Sequence, residues 1–261
     1  MWLIPPDNGL RLQRQNAMSV VFIDLDGTVM RNPFRTAVFP VVCEYLAART
    51  GLSTDTVLDM IMQENTLRLD TGFEPARAMD WDEIAQTVAR RQGVVFPLSL
   101  ERLVAEHCHP PHIAILEGAD SILGRLATKL RRIVAASHGL SKYQLPVLKA
   151  LGLLPMFAGL ATPDTTGCLK SQRGFWRPYI DQGGLCIHVG DLYHPDVLAA
   201  KDHGLITVWK LRPSSELEAE TDPFKRAMVA VLPTGESIRP DAVVVRLDEL
   251  PEVVVRIEAA W

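Results

Sequence analysis

The sequence predicts an α/β fold, a doubly wound parallel sheet with a helical insertion, and two observations carry that expectation. Six short apolar runs bounded by turn residues occur at 20–23, 133–136, 156–160, 186–189, 205–208 and 242–245. Near-continuous runs of this length suit strands buried on both faces of a parallel sheet, and helical patterns lie between them. The second observation is a break in that alternation. From about Pro33 to Pro111 there are helical patterns and no convincing strand. A crossover of about eighty residues is far longer than a βα connection needs.

Taken in order, the first run drives straight into Asp24-Leu25-Asp26-Gly27-Thr28. Residues 34–50 read as a helical run stopped near Gly51, and Ser53 is placed to cap the next helix. That helix carries Leu58, Ile61, Met62, Asn65 and Leu69 on one face. Asp80 with Glu83 makes a capping-box-like start for 81–92, ended by Gly93. His109-Pro110-Pro111-His112 has the stiffness of a linker. Ile122, Leu123, Leu126 and Leu130 have the spacing of one apolar stripe before the strand entered at Arg131-Arg132-Ile133. Residues 196–202 read as a helix ended by Gly204. The polar segment 212–240 reads as an insertion before the last strand, with 216–220 an exposed acidic face. The expected organisation is a Rossmann-like core from 1–30 and 113–261, with 31–112 as a second, smaller helical domain.

Composition narrows the class. A hydrophobic content of 48% with 22% charged residues is that of an ordinary globular protein. The formal net charge of −4, without a Lys/Arg-rich block, argues against a nucleic-acid-binding face. No stretch approaches the ~20 apolar residues that span a bilayer. Residues 1–17 lack a basic region followed by an apolar one, so they read as a short extension and not as a signal peptide, with Met18 a conceivable alternative start. The expected location is therefore cytoplasmic. Cys43, Cys108, Cys168 and Cys186 show no CxxC spacing and are expected as reduced thiols.

Ligands of doubly wound sheets bind beyond the carboxyl ends of the strands, so the ends of the runs are where chemistry is sought. The first run ends at Asp24 and Asp26, and the second at Ser137-His138-Gly139. The third leads through Thr162 to a loop with Lys170, and the fourth ends at Gly190-Asp191, with Asp196 five residues on. Two carboxylates at i and i+2 on a strand share a face and repel unless something positive sits between them. Oxygen-rich clusters with few histidines favour a hard cation, Mg²⁺ above all. A carboxylate also serves as a nucleophile in phosphoryl transfer, where the migrating group needs a cation, a lysine and hydrogen-bond donors around it.

DLDGT after an apolar strand, a hydroxyl residue ending the second strand, a lone lysine, and GDLYHPD after IHV resemble the haloacid dehalogenase superfamily in order and spacing, over roughly residues 20–250. The helical segment after the first strand is similar to that superfamily's inserted cap. The resemblance implies Asp24 as nucleophile and metal ligand, and Asp26 as general acid/base whose main-chain carbonyl also binds the metal. It implies Thr28 as support of the turn, Ser137 as a donor to the phosphoryl group, and Lys170 as the cation that neutralises Asp24 and the phosphate. Asp191 is implied as a metal ligand, and Asp196 as a ligand through water or a support behind it. Thr28, Ser137, His138 and Lys170 make up the expected substrate-binding set. Members that cleave carbon–halogen bonds lack an acid at the second aspartate, because a halide leaves without a proton, so Asp26 points to phosphate ester or anhydride chemistry. Two positions depart from the pattern: Ser171 follows the lysine where many relatives have proline, and His138 stands where asparagine is frequent. Lys142 is the nearest rival lysine; Lys170 is preferred because it stands after the third strand and before GFWRPYI.

The expectation is a Mg²⁺-dependent phosphatase acting on a small phosphorylated metabolite through a phospho-aspartyl intermediate, as a monomer or homodimer. A phosphomutase, nucleotidase or pyrophosphatase is the alternative among enzymes, and a catalytically weak metabolite-binding protein the alternative outside them. The cluster Glu106-His107-Cys108-His109-Pro110-Pro111-His112 matches no standard zinc spacing and is read as a solvated linker. Arg31, Asn32 and Arg35 read either as substrate contacts or as a charged helix start. Arg77, Asp80 and Trp81 read either as a loop facing the site or as surface pairing and packing.

Overall fold

A computed structural model of the chain describes residues 18–181 and 184–261. The proposed N-terminal extension, 1–17, lies outside the described residues. All six apolar runs enter one parallel sheet: β1 (Ser19–Ile23), β4 (Arg131–Ala136), β5 (Gly159–Ala161), β6 (Cys186–Gly190), β7 (Ile206–Lys210) and β8 (Ala242–Val244). Their order across the sheet is β5-β4-β1-β6-β7-β8. In the central register Val20 pairs with Arg132 of β4 on one side and with Cys186 of β6 on the other.

Alternation along the strands feeds two faces. Val20 and Phe22 of β1 join Val134, Ala136, Phe175, Trp176 and Ala200 in one cluster, while Val21, Ile23, Ile133 and Ala135 join the other. Phe22 meets Trp176 and Tyr179 edge-on at 5.1 and 5.2 Å between ring centres. Complete burial of one such ring stabilises the fold by roughly 1.5–3 kcal/mol. A short helix, α8 (Pro163–Thr166), follows β5; the first face is covered by α9 (Arg173–Ile180) and α10 (Ala199–Asp202), the second by α6 (Ala119–Leu126), α7 (Ser141–Ala150) and α13 (Leu250–Ala260).

Between β1 and β4 the chain makes α1 (Phe39–Thr50), α2 (Thr54–Asp70), α3 (Pro75–Ala78), α4 (Trp81–Arg91) and α5 (Leu100–Glu106), preceded by a wide π-type turn at Phe34–Val38. Ser53 caps α2 through Thr56 N at 3.1 Å, and Gly51 ends α1 with φ +75°. Val42, Leu46, Val57, Ile61, Ile84, Val88 and Val104 belong to the same buried cluster as the second sheet face, so this insertion packs against the core. Arg68, 2% exposed, is held inside it by Glu64 at 2.9 Å, the Arg77 carbonyl at 2.9 Å and Thr87 Oγ1 at 2.9 Å.

The insertion is closed at its base by an unexpected antiparallel ribbon, β2 (Met30–Arg31) with β3 (Ala114–Ile115). Three further details differ from expectation. Helix α6 ends at Leu126, because Ala127 takes an extended ψ of 124°, and Leu130 is exposed in the turn before β4. The strand expected at 156–160 starts only at Gly159, because Leu154–Met156 forms a short 3₁₀ turn built on Pro155. Asp80 does cap α4 through Asp82 N and Glu83 N, but the Glu83 carboxylate turns to Arg77, so no reciprocal box forms. Segment 212–240 contains α11 (Ser215–Ala219) and α12 (Pro223–Val229); the second buries Ala227 against Tyr193, Trp209 and Val243. No helix among the described residues is long and apolar enough to cross a membrane.

Candidate active site

The chain moves outward from β1 through β4 to β5, then returns to the other side of β1 with β6 and moves outward again through β7 and β8. Strand order reverses beside β1, and the crevice beyond the carboxyl ends at such a point is where the connecting loops part. The predicted residues converge there.

Asp24 continues the β1 ladder, its N–H donating to Val189 O at 2.8 Å. The chain then turns sharply, with Val29 N and Met30 N both donating to Leu25 O at 3.0 Å. Gly27 holds that turn with φ +87°, and a Cβ there would come within 2.5 Å of Asp191 Oδ2. Glycine is required on both counts. Thr28 is buried, and its hydroxyl donates to Asp24 Oδ2 at 3.3 Å. It braces the Asp24 carboxylate.

Lys170 is 1% exposed, and its Nζ donates to Asp24 Oδ1 at 2.6 Å and to Asp196 Oδ1 at 2.7 Å. Trp176 Nε1 donates to its carbonyl at 2.7 Å, and its own N–H donates to His138 Nε2 at 3.1 Å. His138 therefore orients the lysine loop. Burial, then the Lys170 ammonium, pushes its imidazole down to about 3, so it is neutral. The rival lysine, Lys142, is engaged elsewhere: its Nζ donates to Asp80 Oδ1 at 2.8 Å and Asp82 Oδ2 at 3.2 Å at the start of α4. Tyr143 OH adds a bond to Asp80 Oδ1 at 2.8 Å. Together they join the first turn of α7 to the insertion.

Asp196 uses both oxygens within the protein. Oδ1 accepts from Lys170 and from His188 Nε2 at 3.0 Å, while Oδ2 accepts from Leu192 N at 2.9 Å. Burial favours its neutral form, but the ammonium and the His188 bond outweigh that and hold the carboxyl below the usual range. Asp191 is the opposite case. Its Oδ1 is buried with no hydrogen-bond partner among the described residues, and burial, then the Asp196 charge, raises its pKa to about 6. Burial likewise raises Asp24 despite Lys170, with Asp196 and Asp191 adding to the rise.

Asp24, Asp191 and Asp196 each offer an oxygen within 4.8 Å of the others. A partnerless buried oxygen, clustered carboxylates raised by burial and by one another, and all-oxygen donors fit a hard divalent cation. Asp24 and Asp191 have oxygens to give it, whereas Asp196 is already committed to Lys170, His188 and Leu192. The Asp26 carboxylate stands outside the group.

Asp26 faces another way. Its Oδ2 accepts from Gln144 Nε2 at 2.6 Å, and its Oδ1 has no partner among the described residues. Burial raises its pKa against the opposing Gln144 hydrogen bond and the neighbouring Asn32 side chain. Ser137, placed at the end of β4 by its N–H to Ala161 O, accepts at Oγ from Gly139 N at 3.0 Å and Gln144 Nε2 at 3.1 Å. Gln144 was absent from the sequence reading, and His188 entered it only within IHV, with no role assigned. Gln144 stands seven residues past Ser137 on a helix, and His188 two residues before the end of a strand.

The remaining candidates resolve as structure. Asn32 Oδ1 accepts from Phe34 N at 3.0 Å, Arg31 donates to Pro111 O at 2.9 Å, and Arg35 is exposed. Trp81 packs against Phe34 and Phe39. The rings of His107, His109 and His112 lie 5.2–6.2 Å apart, but each Nδ1 is engaged, with the Leu103 and Pro110 carbonyls and with Thr36 Oγ1 respectively. Among the described residues their ligand atoms do not close on one another as the three aspartates do.

No protein-family model matches the chain, and none of the curated proteins matches it. Solved structures do. A HAD phosphatase from Thermococcus onnurineus shares 22% identity over 91% of this chain and 98% of that one, with a TM-score of 0.66. The L-2-haloacid dehalogenase of Xanthobacter autotrophicus, with chloropropionic acid covalently bound, shares 18% over 92% and 98%, TM-score 0.60. The putative HAD-hydrolase YfnB of Bacillus subtilis, bound to magnesium, shares 15% over 91% and 99%, TM-score 0.58.

Proposed function

We propose that this chain, which has the fold of the haloacid dehalogenase-like hydrolases, is a Mg²⁺-dependent phosphatase of small phosphorylated metabolites. The observation that carries the reading is the pair of carboxylates after β1. Asp24 is braced by Lys170 at 2.6 Å, and Asp26, two residues on, keeps one oxygen without a partner. A nucleophile next to a proton-transfer group suits an alkoxide leaving group and is superfluous for a halide.

In this reading Asp24 attacks phosphorus, the bond from phosphorus to the ester oxygen breaks, and Asp26 gives that oxygen its proton. The product is an alcohol and an acyl phosphate on Asp24. Asp26, now ionised, takes a proton from water, whose oxygen attacks phosphorus and returns Asp24 with inorganic phosphate. Lys170 stays charged throughout, because the Asp196 and Asp24 carboxylates raise its pKa above the ordinary lysine value against the pull of burial. Ser137 donates its hydroxyl proton to a phosphoryl oxygen. Mg²⁺ would be held by Asp24, Asp191 and the Asp26 carbonyl. When bound it supplies positive charge that keeps the acids ionised together and offsets the charge of the phosphoryl group. The insertion serves as a cap, joined to the core by Lys142 and Tyr143 on Asp80, whose opening admits substrate and whose closure excludes bulk water.

The test is release of p-nitrophenol from p-nitrophenyl phosphate with Mg²⁺ and with EDTA, for the native chain and Asp24→Asn. Turnover dependent on Mg²⁺ and lost in the variant is expected. Turnover that survives Asp24→Asn, or chloride release from 2-chloropropionate in place of phosphate release, would overturn the reading.

A further inference from the structure

We infer that Gln144 is the positioning residue for Asp26, aiming its carboxyl at the leaving oxygen and locking Ser137 as a donor to the phosphoryl group. The inference rests on the phosphatase reading and adds the residue that ties acid to phosphate site.

The geometry is specific. Gln144 is 2% exposed on the buried side of α7, and its amide nitrogen meets two acceptors 118 and seven residues away in sequence. An amide nitrogen has two protons, and both are used. Asp26 Oδ2 takes one at 2.6 Å, so rotation of that carboxyl is arrested with Oδ1, buried and without a hydrogen-bond partner among the described residues, as the oxygen left for the proton. Oδ1 is thereby assigned as the atom that exchanges the proton. Ser137 Oγ takes the other at 3.1 Å and also accepts from Gly139 N at 3.0 Å. With both lone pairs occupied, the only thing the Ser137 hydroxyl has left to offer is its proton. One side chain thus sets the direction of two catalytic groups.

Packing alone does not explain this residue. Gln144 Oε1 is buried without a partner among the described residues, a cost that leucine or methionine would not carry. The neighbouring loop is shaped around the amide as well: a Cβ on Gly139 would lie 2.1 Å from Gln144 Nε2. Gly139 does not have a positive φ, so it is the closeness of the amide that excludes a side chain there.

The experiment compares kcat/KM for two esters, since that ratio reports only the steps up to alcohol release. p-Nitrophenolate leaves without a proton near neutrality, whereas the alkoxide of glycerol phosphate does not. General acid catalysis contributes about 10²–10⁴-fold, so Gln144→Met should lower kcat/KM for glycerol phosphate by roughly 30–100-fold and for p-nitrophenyl phosphate by less than about fivefold. Asp26→Asn marks the full size of that split. Gly139→Ala, which displaces the same amide without deleting it, should show the same split at smaller amplitude, and keeps the test available if Gln144→Met folds poorly. Equal losses on both esters in these variants would mean that Gln144 only fills space, and would overturn the inference. Native protein that turns over neither ester marks the failure of the phosphatase reading itself, and removes the inference with it.

Discussion

Asp191→Asn should stabilise the metal-free protein while abolishing its activity. Asp191 is a carboxylate that folding makes uncomfortable: its Oδ1 is buried and partnerless, and its pKa rises from 3.8 to about 6. Near two units at 1.36 kcal/mol each sets a ceiling of about 3 kcal/mol of destabilisation at neutral pH. Because Asp191 is only partly buried, solvent screening reduces that to roughly 1–2 kcal/mol. Asparagine has the same shape and forfeits no hydrogen bond at Oδ1. For a chain of this size each kcal/mol moves Tm by about 2–4 °C, so the variant should melt roughly 2–8 °C higher in EDTA at pH 7.5.

The sign follows from linkage. A carboxyl whose folded pKa is raised lends stability below the unfolded value, 3.8, and loses it as pH rises through the folded value near 6. The gap between variant and native protein should therefore be widest above pH 7 and close towards pH 4. Saturating Mg²⁺ should reverse the ranking, since a ligand at about 100 Kd adds ~2.7 kcal/mol to the protein that binds it and little to the one lacking a ligand. Thermal melts with EDTA and with Mg²⁺, at pH 4.5 and 7.5, measure all four cells. An Asp191→Asn protein less stable than native in EDTA at pH 7.5 would refute the claim that this acid is a strained anion awaiting a cation.

Lys170→Met should both abolish p-nitrophenyl phosphate turnover and destabilise the chain, because it leaves the Asp24 and Asp196 carboxylates facing one another without their shared ammonium. Removing one partner from a buried ion pair costs about 3–5 kcal/mol, and a melt unchanged from native would contradict it. Arg68→Met should also lower Tm, by less than Lys170→Met and away from the Asp24 site, since Glu64 would lose the buried guanidinium but keep Arg91 on its other oxygen. Turnover at 25 °C in the surviving folded fraction should be unchanged; a loss of kcat there would show the Arg68 network reaching the site.

The strands were legible because burial on both faces writes itself as an unbroken apolar run, and the reversal of strand order then dictates where the runs should end in chemistry. Asp24, Asp191 and Lys170 were found by that rule, and all three stand at the crevice. The errors came where the period has little to say. Leu130 sits four residues past Leu126, which is helical spacing, yet Ala127 had already left the helix and no periodicity records a change of ψ. β2 and β3 have two residues each, too short for any alternation, and they pair across the whole insertion.

The site residues that escaped notice share a cause. Gln144 and His188 meet other side chains, so their value lies in which partner they meet: for Gln144 that partner is 118 residues away, and for His188 it is Asp196, eight residues on, past the strand end and at no spacing that marks the pair. The same logic explains why Asp191 and Asp196 separate so sharply although five residues apart. Asp196 meets a lysine, a histidine and the Leu192 main-chain N–H and is held ionised; Asp191 has neither lysine nor histidine bonded to its carboxyl, only its own main-chain N–H, and is pushed towards its neutral form. The resemblance already sets the two apart, Asp191 as a ligand and Asp196 as a ligand through water or a support behind it. Their neighbours make one a fixed anchor for Lys170 and leave the other to be satisfied only by what binds.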